Sequence, residues 1–546
     1  AMLSPFPAAM SCLKPNAWGA AAAILACVLA GAAHAEEDPQ DEEVADGSMI
    51  VFAEGQVTRV AGSAHVISEE ELERHEYTDI HQILASVPGV YLRGEDGFGL
   101  RPNIGLRGGN SDRSAKITLM EDGVLLSPAP YAAPAAYYFP LSDRLVGVEV
   151  VKGAAAIRHG PQTIGGAVNL LTRRVPEETV AALNTAYGLR NTLKSHGYTG
   201  FGTDRWGVLA EVAHLSSDGF KEIDGGGKTG FGRQDAMFKA RVGTSRDASV
   251  FQDVEVKLSY GKERSNETYL GLNAEDFKAN PDRRYAASKG DLMQWQRTQE
   301  SLTWRVLAGQ DFDVRTVVYH HHLDRDWTKL NRFAGGPALH DLLYMGASGG
   351  QAEVYMAILE GEEDTASADQ LLMRGTNDRQ FHSYGAQSLA HHRTEAGIIA
   401  NELELGARLH MDRVKRLHTE NPLNMTAGEL TAADGETVTM LNSDSSARAL
   451  ALHIHNDLSI GALRLLPGLR YEHITTASGT AKTGPDNPQS HQILLPGMGL
   501  YLEPLEGIGL LAGAHRGFSP ISPGSPEDSE PETAWNYEAG LRVSVG

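Results

Sequence analysis

Between residues 180 and 546, apolar and polar side chains change places at almost every step, in segment after segment. In Asp253 to Tyr260, Val254, Val256, Leu258 and Tyr260 form one row and Asp253, Glu255, Lys257 and Ser259 the other. In Glu402 to Asp412, Leu403, Leu405, Ala407, Leu409 and Met411 oppose Glu402, Glu404, Arg408, His410 and Asp412. Tyr537, Ala539, Leu541 and Val543 oppose Arg542 and Ser544. A period of two belongs to strands, whose successive side chains leave on opposite faces. Many such segments of roughly 10 residues, separated by longer polar stretches, are the pattern of a membrane β-barrel, with the apolar row against lipid and the charged row in a wet lumen. Gly335 to Gln380 and Leu417 to Ser446 read as outer loops, and Pro467-Gly468 as a short turn at the other end. A soluble secreted β-protein also alternates and stays open as a reading. Past residue 35 no segment has the roughly 18 apolar residues of a membrane helix.

The first 35 residues read as an export signal. Lys14 supplies the positive charge, Ala20 to Ala33 is apolar and small, and Ala33-His34-Ala35 fits a small-x-small cleavage site. Met10 reads as the start. The only cysteines, Cys12 and Cys27, fall inside this segment. The exported protein therefore has no disulfide, no thiol nucleophile and no cysteine metal site. The formal charge of −22 argues against nucleic acid as a partner.

Residues 36–56 form a leader. Glu36 to Asp46 carries seven acids and no base, a solvated tether. Ser48 to Ala53 then stands alone as a β-prone run, extended enough to be gripped by strand addition. Ser68-Glu69-Glu70-Glu71 starts a helix with a capping box. Thr78 to Ser86 is a second short helix, with Ile80, Ile83, Leu84 and Val87 on its apolar side and Pro88-Gly89 at its end. Ile117 to Leu126 is a hairpin turning at Asp122-Gly123, and Leu145 to Val151 and Gly166 to Thr172 are further strands. Residues 57–175 thus form a mixed α+β unit.

Within that unit, residues 97–175 alternate short strand-like runs with glycine turns, and Leu106-Arg107-Gly108 and Val151-Lys152-Gly153 each set a base before a glycine. This stretch resembles the plug domain of TonB-dependent outer-membrane receptors of the ferric-dicitrate and ferric-siderophore type. The resemblance continues, more loosely, through the barrel and sharpens again at Trp535 to Arg542. It implies a transmembrane antiparallel β-barrel, 22-stranded in the family, with the plug inside: residues 57–175 the plug, 180–546 the barrel. At a typical spacing 180–546 supplies about 14–16 strands. The chain stops at Val543-Ser-Val-Gly546, where the family ends on a terminal aromatic, so the resemblance implies a C-terminally truncated chain.

The implied function is active import of a ferric chelate, siderophore or citrate-like carboxylate, across the outer membrane of a Gram-negative bacterium. The protein is then no enzyme, and it holds no permanent cofactor, since iron travels as chelate. Its implied partners are the TonB–ExbB–ExbD energy-coupling complex, the ferric chelate and outer-membrane lipid. Met49, Ile50, Val51, Phe52 and Ala53 would be the TonB box. Arg107 and Lys152 would lock the plug to barrel glutamates, Glu538 among them. Ligand contacts are expected from Arg113, Tyr131, Tyr137 and Tyr138 at the plug apices, and from Arg325, Arg332, Arg374 and Arg379 in or beside barrel loops. Ala132, Ala133, Ala135 and Ala136 stand where ferric-citrate receptors carry polar amides, which leaves the chelate open. Import of another metal, haem or an organic nutrient remains an alternative, as does a passive porin or adhesin barrel.

Histidine runs (His320-His321-His322, His391-His392, His453-x-His455) raise the question of a bare metal. Successive strand residues cannot converge, so no metal site is assigned. His-Glu-x-x-His and a phosphate loop are absent from the sequence.

Overall fold

The computed structural model describes residues 63–345, 349–505 and 507–543. The expected export signal, acidic leader and Met49–Ala53 box lie outside the described residues.

The first unit is built on a five-stranded sheet. Its elements are β1 (Ser63–Ile67), α1 (Glu69–His75), α2 (Ile80–Leu84), β2 (Val90–Leu92), β3 (Ile104–Leu106), β4 (Thr118–Glu121), β5 (Val124–Leu125), β6 (Leu145–Lys152) and β7 (Ala167–Thr172). The sheet order is β1-β6-β7-β4-β5, with only β4 and β7 parallel. Ser68 caps α1 by accepting from the Glu71 amide at 3.3 Å. Asp79 caps α2 by accepting from the His81 amide at 2.8 Å, so this helix starts at Ile80 rather than Thr78. It buries Ile80, Ile83 and Leu84. Asp122 (φ 49°) and Gly123 (φ 75°) make the β4–β5 turn, the backbone that an Asp-Gly hairpin favours.

The second unit is one large antiparallel sheet. Its strands are β8 (Val180–Gly188), β9 (Thr192–Gly202), β10 (Trp206–Ser217), β11 (Glu222–Ile223), β12 (Phe231–Gly243), β13 (Val250–Ser265), β14 (Arg283–Arg284), β15 (Leu292–Ala308), β16 (Phe312–Phe333), β17 (Leu372–Ala396), β18 (Ile399–Thr426), β19 (Glu429–Ala432), β20 (Val438–Ile460), β21 (Leu463–Thr480), β22 (Gln489–Leu505), β23 (Ile508–Ser519) and β24 (Glu532–Val543). Each strand pairs with the next around the wall, apart from the short β11, β14 and β19, which belong to the connections. The alternation places the faces as expected. Leu258, Tyr260, Leu405, Leu409 and Met411 are exposed on the outside, while Asp253, Lys257, Glu404, His410 and Asp412 are buried toward the plug. No helix among the described residues is long and apolar enough to cross a membrane.

Short turns gather at one rim and long connections at the other. The long ones hold α3 (Ala274–Ala279), α4 (Leu339–Met345) and α5 (Gln351–Glu360). Three of them share an apolar core: Leu270 and Tyr285 from the first, Tyr355 and Ile358 from the second, and Met425 beside the third. Two loop readings need correction. β17 begins at Leu372, inside the expected 335–380 loop, and β18 and β20 run through most of 417–446. Backbone pairing continues beyond the apolar belt, where the side-chain pattern no longer reports it.

Pro467-Gly468 is likewise no turn. Both residues lie within β21, and the turn falls at Gly461 (φ 56°). Gly468 serves the plug instead. A Cβ there would stand 2.8 Å from Ile157 Cγ2, so its bare backbone makes room for the plug to touch the wall. Gly468→Val is expected to destabilise plug seating by about 1–3 kcal/mol. Thermal unfolding of the purified barrel checks it, and adding Ile157→Ala should restore part of the loss.

Candidate ligand chamber and plug–wall contacts

Three arginines stand abreast on the inner wall. Arg325 of β16 pairs across with Arg379 of β17, which pairs with Arg416 of β18. Like charges directly opposite on a sheet repel and cost stability. Arg325 is only 1% exposed, yet none of its guanidinium nitrogens has a hydrogen-bond partner among the described residues. Below the row sits the plug tip. The Arg325 Cζ lies 4.1 Å from the Tyr137 ring centroid, the Arg379 Cζ 6.0 Å and the Arg113 Cζ 5.9 Å. Trp327 floors the neighbouring space, under Arg113 at 5.5 Å and Lys329 at 4.9 Å. Burial alone would push the Tyr137 phenol up, but Arg325, Arg379 and Arg113 outweigh it and hold it below its usual value. A chamber that is this cationic and lined by aromatic faces suits an anion with several acceptor oxygens.

Four of the expected ligand residues therefore meet: Arg113, Tyr137, Arg325 and Arg379. The others do not. The Tyr131 hydroxyl donates to Glu472 at 2.8 Å, buried against the wall. Tyr138 lies deeper, edge-on to Trp295 and under Arg297 at 4.0 Å. Arg332 pairs with Glu420 at 2.8 Å, and Arg374 donates to the Lys289 carbonyl. All four wall arginines lie in strands rather than loops, because β16 and β17 outrun the apolar belt. Arg416, Lys329 and Trp327 escaped the sequence reading. Arg416 continues the polar row of Glu404, Arg408 and Asp412, so following that row four residues further would have found it. Ala132 and Ala136 are buried, and the Ala132 amide donates to Asp412 at 3.2 Å; this apex packs on the wall instead of lining the chamber.

Asp291, 2% exposed, ends the turn before β15 on the Lys329 side. Burial pushes its carboxyl up to about 8, against the pull of Arg374 and Lys329. A carboxyl raised in the folded state binds its proton there and not in the unfolded chain. Stability should therefore fall as pH rises from about 4 to about 8 and level off above. Asp291→Asn is expected to flatten that slope, read as melting temperature against pH.

Below the chamber, Arg107 forms an ion pair with Glu538, which also accepts from the Ala154 amide at 3.4 Å. Gly153 (φ 79°) leaves no room for a side chain beside that carboxylate. Lys152 departs from its expected role. Its ammonium donates to the Pro88 carbonyl, inside the plug, and burial with the nearby Arg107 holds it below its usual value while Glu538 pulls the other way. Among the described residues its ammonium makes no ion pair with the wall. Other plug–wall ion pairs exist elsewhere: Arg101 meets Glu263 at 2.6 Å, Lys257 meets Glu121 at 2.6 Å and Arg158 meets Glu404 at 2.9 Å, and Glu404 also bonds His453 at 2.7 Å and His391 at 3.1 Å. His321 is buried inward while His320 and His322 stack outside on His382. Among the described residues no cluster of three or more His, Asp or Glu is arranged to hold a metal ion.

Comparison with known proteins bears on both units. The family model described as TonB-dependent Receptor Plug Domain matches residues 56–167, and that described as TonB dependent receptor-like, beta-barrel matches 183–546. The vitamin B12 transporter BtuB of Photobacterium profundum is 27% identical over 213 residues, 37% of this chain and 34% of its own length. The ferric enterobactin receptor of Pseudomonas aeruginosa is 27% identical over 171 residues, 28% of this chain and 22% of its own. The chain thus spans about a third and a fifth of these two relatives. Among solved structures, the unliganded ferric citrate transporter FecA superposes with TM-score 0.70 at 20% identity, covering 90% of this chain and 69% of that one. The ferric yersiniabactin uptake receptor FyuA of Yersinia pestis superposes with TM-score 0.64 at 14% identity, covering 89% and 70%.

Proposed function

The chain belongs to the TonB-dependent receptors, and from that premise we propose that it is an active transporter of the Gram-negative outer membrane, importing an anionic ferric chelate of the carboxylate type. The observation that carries the reading is the row Arg325, Arg379 and Arg416 above Tyr137. A planar guanidinium presents paired donors that match a carboxylate, and three in line match a chelate with several. The names of the similar proteins (vitamin B12, ferric enterobactin, ferric citrate) fall within the same class of large, scarce nutrients.

In this reading the chelate binds between the arginine row and the plug tip, with Arg113, Tyr137, Arg325, Arg379 and Arg416 as its contacts. The periplasmic TonB–ExbB–ExbD complex grips Met49–Ala53 and pulls on the plug. Arg107 and Glu538 hold the plug until that pull arrives. The protein transports and does not catalyse; iron is cargo, not cofactor. The test is uptake of 55Fe-labelled ferric dicitrate by cells making the full chain or a variant lacking residues 48–53. Deletion should cut uptake by about tenfold or more, while surface binding persists. Equal uptake in both sinks energised import.

A further inference from the structure

One cation of the chamber already holds an acid. Arg113 Nη2 meets Glu95 Oε1 at 2.5 Å, with the two side chains 10% and 22% exposed. The wall arginines meet uncharged groups or none. Arg379 donates to His418 at 3.2 Å, Arg416 donates to Ser445 at 3.0 Å, and Arg325 has no hydrogen-bond partner among the described residues. Arg113 Nη1 is also buried without a partner among the described residues, so that guanidinium still has a donor to offer.

Glu95 is placed there by the plug itself. Asn103 is fully buried; its Nδ2 donates to Glu95 Oε2 at 3.0 Å, and its Oδ1 accepts from the Arg113 amide at 2.8 Å. One amide side chain thus orients both members of the pair. Arg113 (φ 50°) has a left-handed backbone that arginine seldom adopts, and it is kept there by that bond and by the Ala136 amide, which donates to the Arg113 carbonyl at 2.8 Å. The connection that carries Glu95 is pinned as well. Asp96 accepts from the Phe98 amide at 2.9 Å and from those of Leu100 and Arg101 at 3.1 Å, and Arg101 meets Glu263 of the wall at 2.6 Å.

We propose that Glu95 is an internal competitor for the chelate: in the empty chamber its carboxylate holds the place on Arg113 that a ligand carboxylate takes, and so it sets how many carboxylates a ligand must bring. The proposal rests on the import reading above. Taking Arg113 exchanges one charge-assisted hydrogen bond for another of the same kind, with little net gain. A ligand with a single carboxylate gains no more at Arg113 than is lost by Glu95, and it then lies beside a displaced like charge. A chelate with several carboxylates also engages Arg325, Arg379 and Arg416, where no acid has to be moved. A repulsive group of this sort discriminates against single acids in favour of polyanions.

The test is calorimetric titration of the purified full chain, with ferric dicitrate and with inorganic pyrophosphate as separate probes. Glu95→Gln keeps the size of the side chain and removes its charge. Affinity for ferric dicitrate should rise about tenfold, while the melting temperature of the unliganded protein falls, because Arg113 loses its counter-charge among other cations. An acid that only supports the fold would lose affinity and stability together. Unchanged or weaker binding by the variant overturns the proposal. Glu95→Asp keeps the charge and should stay within about threefold of wild type; a tenfold rise there too would assign the effect to packing and overturn the proposal. If neither wild type nor Glu95→Gln binds ferric dicitrate, the carboxylate-chelate reading fails, and pyrophosphate decides on Glu95 alone. A rise of about tenfold with that polyanion upholds the competitor; equal affinity, or no binding by either protein, overturns it.

Discussion

Arg325→Gln should lower affinity for ferric dicitrate by about 30- to 150-fold, the loss of roughly 2–3 kcal/mol from charge-assisted hydrogen bonds. The same change should raise the melting temperature of the unliganded barrel. Arg325 is buried between Trp295 and Arg379 across the sheet, with no hydrogen-bond partner among the described residues. Removing one of three abreast like charges relieves roughly 0.2–1 kcal/mol for each neighbour. A residue kept for binding at a cost in stability shows both signs together, and a merely structural arginine would show neither. Fluorescence titration and thermal melts on one preparation decide it. Unchanged affinity would remove the arginine row from the ligand site.

Glu538→Ala should loosen the plug, and Lys152→Ala should not. Glu538 takes an ion pair from Arg107 and an amide from Ala154 in a half-buried niche. Its loss leaves the Arg107 charge uncompensated, a penalty of about 1–3 kcal/mol at this exposure. Lys152 donates to the Pro88 carbonyl, within the plug. Single-channel conductance in planar bilayers and vancomycin sensitivity of cells should both rise for Glu538→Ala and stay near wild type for Lys152→Ala. Equal effects would mean that Lys152 reaches the wall in the working protein.

The barrel was legible because lipid and lumen impose opposite chemistries on alternate residues, and 253–260 and 402–412 record both. The short plug helices were legible through their caps, Ser68 above all, although Asp79 moved the second start by two residues. Register was not legible. Arg325, Arg379 and Arg416 lie far apart in sequence and become a row only through three strands' pairing. Nothing local marks that meeting. Above the apolar belt both faces of a strand are wet, so alternation fades and strands read as loops. Pro467-Gly468 misled for a different reason. The dipeptide has turn chemistry, but its glycine answers to Ile157 from another part of the chain.

The apolar core shared by the outer connections has a consequence for anyone who would retarget this receptor. Leu270, Tyr285, Phe333, Tyr355, Ile358 and Met425 come from three separate connections and their strand ends, and they pack as one body. Such a roof behaves as a cassette. Grafting a single foreign loop strips apolar partners from the two that remain, and the mouth should collapse or aggregate. Moving residues 266–291, 334–371 and 427–437 together carries the roof's own interior with it, and the recipient wall need only match at the strand ends.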